Sequence, residues 1–258
     1  MNEVKVVHQD DALLVLYKPS GLPTTSPAGG GEALTDIAKE LDPRAEALHA
    51  TSRLDAEVTG LVTFARTRAA NHGLLEARRA GRYQRRYVAL ALAAPEPLAG
   101  AWRFPIAMDP RDPRKRRAVS GPKKGEKGKK AVKGAKDAET LYRAVGTAKH
   151  GQLLSLWPQT GRTHQLRVHA AEAGVPLFGD VHYGGARRIT KADGRVVTAR
   201  RVMLHCAELT LPNLADPAGR GESLCIVAPI PADLARVYAA LGGAAGDIEG
   251  LRGLWAPS

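Results

Sequence analysis

Short runs of aliphatic, β-branched and aromatic residues follow one another along almost the whole chain, each broken by Gly, Pro or a polar pair. This succession constrains the fold more than any other feature, because such runs suit pleated, partly buried strands. Residues 4–7 and 12–17 read as two strands joined by a turn at Asp10-Asp11, and Lys18-Pro19-Ser20-Gly21-Leu22-Pro23 breaks the second. Further strands are predicted over 59–65, 82–91, 114–119, 139–147, 151–157, 202–211 and 223–228. Helical periodicity is confined to 32–41, 69–80 (stopped by Gly81), 163–174 (capped by Thr163, ended by Gly174) and 232–241. Strands that run consecutively, with few βαβ units, predict an α+β fold with a mixed, mostly antiparallel sheet flanked by helices and loops. With no internal repeat and no linker, residues 1–258 are expected to form a single domain.

The gross chemistry narrows the function. No apolar run reaches the length of about 18 residues needed for a transmembrane helix, and the N-terminus lacks the basic-then-apolar layout of a secretion signal. Cys206 and Cys225, the only cysteines, are too few for a disulfide scaffold and are not at metal-knuckle spacing. A cytoplasmic location is the expectation. The formal net charge is +12, with an isoelectric point near 10.0, which favours a polyanionic partner. The basic residues do not lie along an amphipathic helix with a bulky apolar face, so nucleic acid is favoured over a membrane surface. Between Arg111 and Lys136 twelve Lys or Arg residues stand against Asp112 and Glu126 alone, and residues 121–130 carry no apolar side chain. A mobile basic loop is predicted over about 120–136, placed at a hairpin tip because its flanks read as strands.

Candidate chemistry lies between Thr51 and Ala65. Its first half is polar and carries Arg53 and Asp55; its second half is the strand from Thr59. An acid at the mouth of a strand is held by a rigid element and can still face a cleft. Taken alone, Arg-Leu-Asp is more often a turn before a strand. Two other blocks change that reading: Arg-Arg-Tyr-Val-Ala-Leu at 85–90 and Gly-Arg-Thr-His-Gln-Leu-Arg-Val-His at 161–169.

In this order and separation, the three blocks resemble the RluA-type pseudouridine synthases, which isomerise uridines of bacterial ribosomal and transfer RNA. The resemblance extends from Lys-Pro-Ser-Gly-Leu-Pro-Thr (18–24) through Gly-Asp-Val-His-Tyr-Gly (179–184) to Met-Leu-His-Cys-Ala-Glu-Leu (203–209). Ser52 stands where the family usually has His, and Val58-Thr59 where it has Thr-Ser, departures that bear on substrate fit and spare the acid. The extra N-terminal RNA-binding domain of many relatives is expected to be missing, which leaves RNA binding to the catalytic domain's own basic surface.

The resemblance implies an enzyme that uses one Asp and no metal or organic cofactor, and the match places that acid at Asp55. Such a carboxylate can act as nucleophile on sugar or base, or as base toward a sugar proton. Arg167 matches the family's basic partner of the acid, and Tyr87 its active-site tyrosine. Arg53 matches the residue that fills the space left by a flipped base. Arg162 is a candidate phosphate contact, as are Lys123, Lys124, Lys129 and Lys130 of the basic loop. His164 and His169 are five apart on the predicted helix, so they do not share a face and no metal site is expected. The competing readings are a non-catalytic RNA-binding factor and a metal-dependent nuclease. Ribosomal and transfer RNA remain equally open as substrate, and a monomer is expected.

Overall fold

A computed structural model describes residues 3–27, 29–119, 132–216 and 223–251. In chain order the elements are β1 (Lys5–Gln9), β2 (Leu13–Lys18), α1 (Leu34–Leu41), β3 (His49–Ala50), β4 (Thr59–Ala65), α2 (Arg68–Arg79) and β5 (Gln84–Ala91). They continue with β6 (Ala99–Trp102), β7 (Ile106–Met108), β8 (Arg116–Ala118), β9 (Thr140–Ala148), β10 (Gly151–Pro158) and α3 (Gln165–Glu172). A 3-10 turn (Val181–Tyr183) follows, then β11 (Arg188–Thr190), β12 (Val196–Thr198), β13 (Leu204–Pro212), β14 (Ser223–Val227), α4 (Ala232–Ala240) and α5 (Ala245–Glu249). The α+β class and the mainly antiparallel pairing are as the strand-rich pattern predicts. Among the described residues no helix is long and apolar enough to cross a membrane.

The chain divides into two compact units, Met1–Tyr87 with Leu204–Ala232, and Val88–Met203 with Asp233–Ser258. In the first, the strand order is β1-β2-β4-β13, with β3 on β4 and β14 on β13. β2 and β4 are buried along their whole length, so both read as nearly continuous apolar runs. Leu13, Leu14, Leu16, Leu61 and Phe64 from these strands form the core with Leu34 of α1. Thr67 caps α2, its hydroxyl accepting from the Ala70 amide at 3.0 Å, and Gly81 ends it at φ +68°.

The parallel pair β4–β13 brings Gly60 opposite Cys206. At φ +120°, a Cβ on residue 60 would lie 2.2 Å from the Cys206 carbonyl oxygen, so only glycine lets the strands approach this closely. One residue earlier, the Thr59 hydroxyl and His205 Nδ1 bond at 2.9 Å. Together these contacts fix where β4 begins.

In the second unit β10 pairs with β9, and β9 with β6. Leu90, Leu153, Leu154, Leu156 and Phe178 are buried there with Leu234 and Tyr238 of α4. Two small hairpins, β7–β8 and β11–β12, stand as separate sheets. This corrects the hairpin expected around the basic loop. The strand before it, β8, pairs with β7, while β9 pairs with β10 and β6. The lysines expected to touch RNA, Lys123, Lys124, Lys129 and Lys130, lie outside the described residues.

A second correction concerns α3. Its N-cap is His164, in the left-handed region at φ 57°, and Thr163 provides no cap. The buried side chain of Gln165 organises this turn. Its carbonyl oxygen accepts from the Thr160 hydroxyl (2.7 Å) and the Arg162 amide (3.0 Å). Its amide nitrogen donates to the Glu139 carbonyl (2.8 Å) and the Thr140 hydroxyl (3.0 Å). Four bonds from one side chain account for a turn that local propensity reads as an ordinary hydroxyl cap.

Candidate active site

In the first unit, Arg53 and Asp55 stand on the loop that leads into β4. Arg53 is exposed, Leu54 buried and Asp55 half-buried. The loop is braced from the Lys18–Thr24 segment. The Thr24 hydroxyl donates to the Leu54 carbonyl at 2.8 Å and accepts from the Leu54 amide at 3.0 Å, which fixes the residue between Arg53 and Asp55. Lys18 is fully buried, and its ammonium donates to the carbonyls of Pro19 (2.9 Å), Leu22 (2.7 Å) and Ala56 (3.0 Å). The Gly21 amide reaches the same Ala56 carbonyl at 2.8 Å. The Val58 amide donates back to the Asp55 carbonyl at 3.0 Å and closes the turn before the strand. The acid thus sits on a backbone with little freedom.

Tyr87 is the last residue of this unit on β5 and is buried. Arg85 Nη1 donates to its hydroxyl at 3.3 Å. Burial pushes the Tyr87 phenol well above its usual range, so at neutral pH it is a protonated donor rather than a phenolate. The neighbouring Cys206 thiol is likewise pushed up to about 11, first by burial. Tyr83, just before β5, is buried; it bonds to the Thr63 hydroxyl at 3.1 Å and packs under Arg78, an ordinary packing role. On the opposite face Arg86 is buried and pairs with Glu208 at 2.7 Å.

In the second unit, Arg167 projects from α3 with only 5% of its side chain exposed. Asp180 holds it through a two-bond fork: Nε to Oδ2 and Nη2 to Oδ1, both 2.7 Å. This fixes the plane of the guanidinium and turns the Nη1 edge away from Asp180. The Tyr183 ring lies under the same guanidinium, 5.1 Å from its carbon. The Tyr183 hydroxyl bonds to His164 Nδ1 at 2.6 Å and accepts from the Arg116 amide at 3.0 Å. Arg162 is half-buried and donates from Nε to the Asp137 carbonyl at 2.9 Å, so part of its fork is engaged within the protein.

The four histidines of the matched sequence blocks have ordinary neighbours. His164 bonds to Tyr183, His169 Nε2 to the Phe104 carbonyl and His205 to Thr59, while His182 is exposed. Among the described residues no three or more of His, Cys, Asp and Glu gather to hold a metal ion.

In the Lys18–Thr24 and Gly179–Gly184 blocks the sequence alone marks no side chain for a role. Lys18, Thr24, Asp180 and Tyr183 brace Asp55 and Arg167 through long-range contacts. The one signal for Asp180 was its place in a short glycine-bounded turn.

The profile of a family described as RNA pseudouridylate synthase matches residues 12–172. Ribosomal large subunit pseudouridine synthase C of Yersinia pestis is 30% identical over 242 residues, covering 92% of this chain and 68% of its own. Ribosomal large subunit pseudouridine synthase D of Haemophilus ducreyi is 32% identical over 244 residues, covering 92% and 70%. Among solved structures, human RNA pseudouridylate synthase domain containing 4 superposes with a TM-score of 0.70 at 27% identity, covering 92% of each chain. The matched residues include the Asp55 loop, Tyr87 and the helix of Arg167. The chain belongs to the RNA pseudouridylate synthase family and is an RNA pseudouridine synthase.

Proposed function

We propose that the enzyme isomerises a uridine of large-subunit ribosomal RNA, with Asp55 as the catalytic carboxylate and Arg167 as its basic partner. The bacterial relatives are named for the ribosomal large subunit, which supports that RNA over transfer RNA. The reaction breaks the bond between uracil N1 and the ribose, turns the base, and rejoins it through C5. The proton lost from C5 is balanced by one gained at N1, so no co-reactant is consumed.

The observation that carries the assignment is the double clamp on the Asp55 loop, Thr24 on Leu54 and Lys18 on Ala56. A turn acid with no task has no use for two buried braces. Asp55 supplies the nucleophile toward sugar or base, or the base toward a sugar proton. An ionised carboxylate near RNA phosphates needs a cation, which is the part assigned to Arg167. Tyr87, held as a phenol, lines the base pocket with its ring and offers a neutral hydroxyl. A base in folded RNA has to leave its stack, at a cost of a few kcal/mol. Exposed Arg53 is positioned on the Asp55 loop to stack in the vacated space. The protein acts in the cytoplasm as a monomer in this reading.

The test is Asp55→Asn with nucleoside mass spectrometry of incubated RNA. Turnover should fall by at least about a thousandfold while RNA affinity stays within a few fold, since the change removes chemistry and spares contacts. Retained pseudouridine formation in this variant would remove Asp55 from the mechanism. A purely RNA-binding factor would form none even as the wild type.

A further inference from the structure

The β11–β12 hairpin takes no part in the site described above. Its inward face is apolar: Val197 is buried and Ile189 half-buried, while Arg188, Thr190, Val196 and Thr198 face outward. Its tip is electrically quiet. Asp193 folds back on Arg195, accepting from its backbone amide (3.0 Å), Nε (2.8 Å) and Nη2 (2.6 Å). Lys191 lies against the end of α4, its ammonium donating to the Ala240 carbonyl at 3.2 Å.

The root differs. Arg187, Arg188 and Arg200 are exposed there on neighbouring rungs: the Arg187 carbonyl accepts from the Ala199 amide at 2.9 Å, and Arg188 faces Thr198. None of the three forms an ion pair among the described residues. The next residue, Arg201, is by contrast buried and forked onto Asp233 at 2.7 and 2.9 Å. Three exposed guanidinium groups at one hairpin root, with no acid paired to them among the described residues, add nothing that holds the hairpin together.

The root is also built onto the loop that steadies Arg167. The Gly179 amide donates to the Ala186 carbonyl at 2.8 Å, and the Gly185 amide to the Asp180 carbonyl at 2.8 Å. A Cβ on residue 179 would lie 1.9 Å from the Arg201 carbonyl oxygen, so this crossing admits only glycine. The arginine cluster therefore has a fixed position relative to Asp180 and the guanidinium it holds.

We propose that the root of this hairpin is a phosphate-binding arm that grips the RNA backbone through Arg187, Arg188 and Arg200. The inference rests on the RNA-modifying reading and adds where the substrate strand is held. Guanidinium groups match phosphate oxygens in pairs and need no particular base. The face lacks the bulky apolar residues a membrane-surface element would show, with Val196 its one outward aliphatic side chain.

The experiment compares full-length wild type, the double variant Arg187→Gln/Arg188→Gln, and a charge-matched control, Lys5→Gln/Arg44→Gln, at two exposed positions of the other unit. Dissociation constants for protein-free large-subunit ribosomal RNA are measured across a salt series, with pseudouridine formation and melting temperature recorded separately. The arm variant should bind about tenfold more weakly near physiological salt, with a log–log salt slope smaller by about 1 to 2. Its turnover at saturating RNA and its melting temperature should be unchanged, and the control should shift affinity less than threefold. Wild-type affinity and slope in the arm variant, or an equal loss in the control, would overturn the arm. So would an arm variant impaired on phosphatidylserine vesicles but unimpaired on RNA. Absence of pseudouridine with wild type would count against the isomerase reading alone, because the affinity comparison still decides the arm.

Discussion

Asp180 shows how a residue with no proposed chemistry can set the posture of a proposed catalytic partner. Its carboxylate is fully buried and spends both oxygens on Arg167. Removing one partner of such a pair leaves a buried charge uncompensated, typically at about 3–5 kcal/mol. Asp180→Asn keeps the shape and one hydrogen bond but withdraws the charge and the matched fork. We expect kcat to fall about tenfold or more with KM for RNA within threefold, and the protein to stay folded by circular dichroism. Asp180→Glu should recover part of kcat, a rescue that a merely structural residue would not show. An equal fall in kcat and rise in KM would place Asp180 in RNA binding instead. Asp55, Tyr87 and Arg167 could be proposed from the sequence because their blocks keep a fixed order. Asp180 and Lys18 were not assigned, since an acid in a turn or a lysine at a strand end carries no local mark of the distant group it meets.

Among the elements, α3 departs most from its sequence-based description. Local rules put a hydroxyl cap at Thr163, whereas Gln165 and a left-handed His164 shape the actual start. Three further contacts seat the helix: Val168 packs with Ile106 and Ala138, Ala118 and Tyr183 lie against that cluster, and His169 Nε2 meets the Phe104 carbonyl at 2.9 Å. The Phe104 and His169 rings meet edge to face, with centroids 5.7 Å apart. Burial lowers the His169 pKa below its ordinary 6.5, opposed by the bond to Phe104. The unfolded chain then takes up a proton that the folded one resists, so this contribution is complete above about pH 6.5 and stability is lost as the pH falls below it. Wild type should therefore lose more melting temperature between about pH 7.5 and 5.5 than His169→Gln, which keeps a donor for Phe104 but cannot titrate. Equal losses would show that the acid sensitivity lies elsewhere. The longer strands were readable from their apolar runs. Strand β8 falls within the run expected over 114–119, but β7, β11 and β12 were not readable, because three-residue strands have no period to detect.

For the molecule as a whole, the chain passes from one unit to the other after Tyr87, after Met203 and after Ala232. The first unit therefore depends on a distant return, β13, whose contact with β4 joins residues far apart in sequence. Such non-local pairing is invisible to any window along the chain. The charge surplus, in contrast, is plain in the sequence: +12 overall, with five lysines and one glutamate between Gly121 and Lys130. Deleting residues 121–130 should weaken RNA affinity and reduce the salt slope by about 3, with turnover at saturating RNA within twofold. An unaltered slope would mark those lysines as bystander charge.

The ammonium of Lys18 has one more consequence. Ringed by the oxygens of Pro19, Leu22 and Ala56, it is beyond the reach of acylating reagents for as long as the native state holds. Chemical labelling at that amine therefore reports how often the Asp55 loop comes loose from its support, whereas labelling at surface amines reports only accessibility.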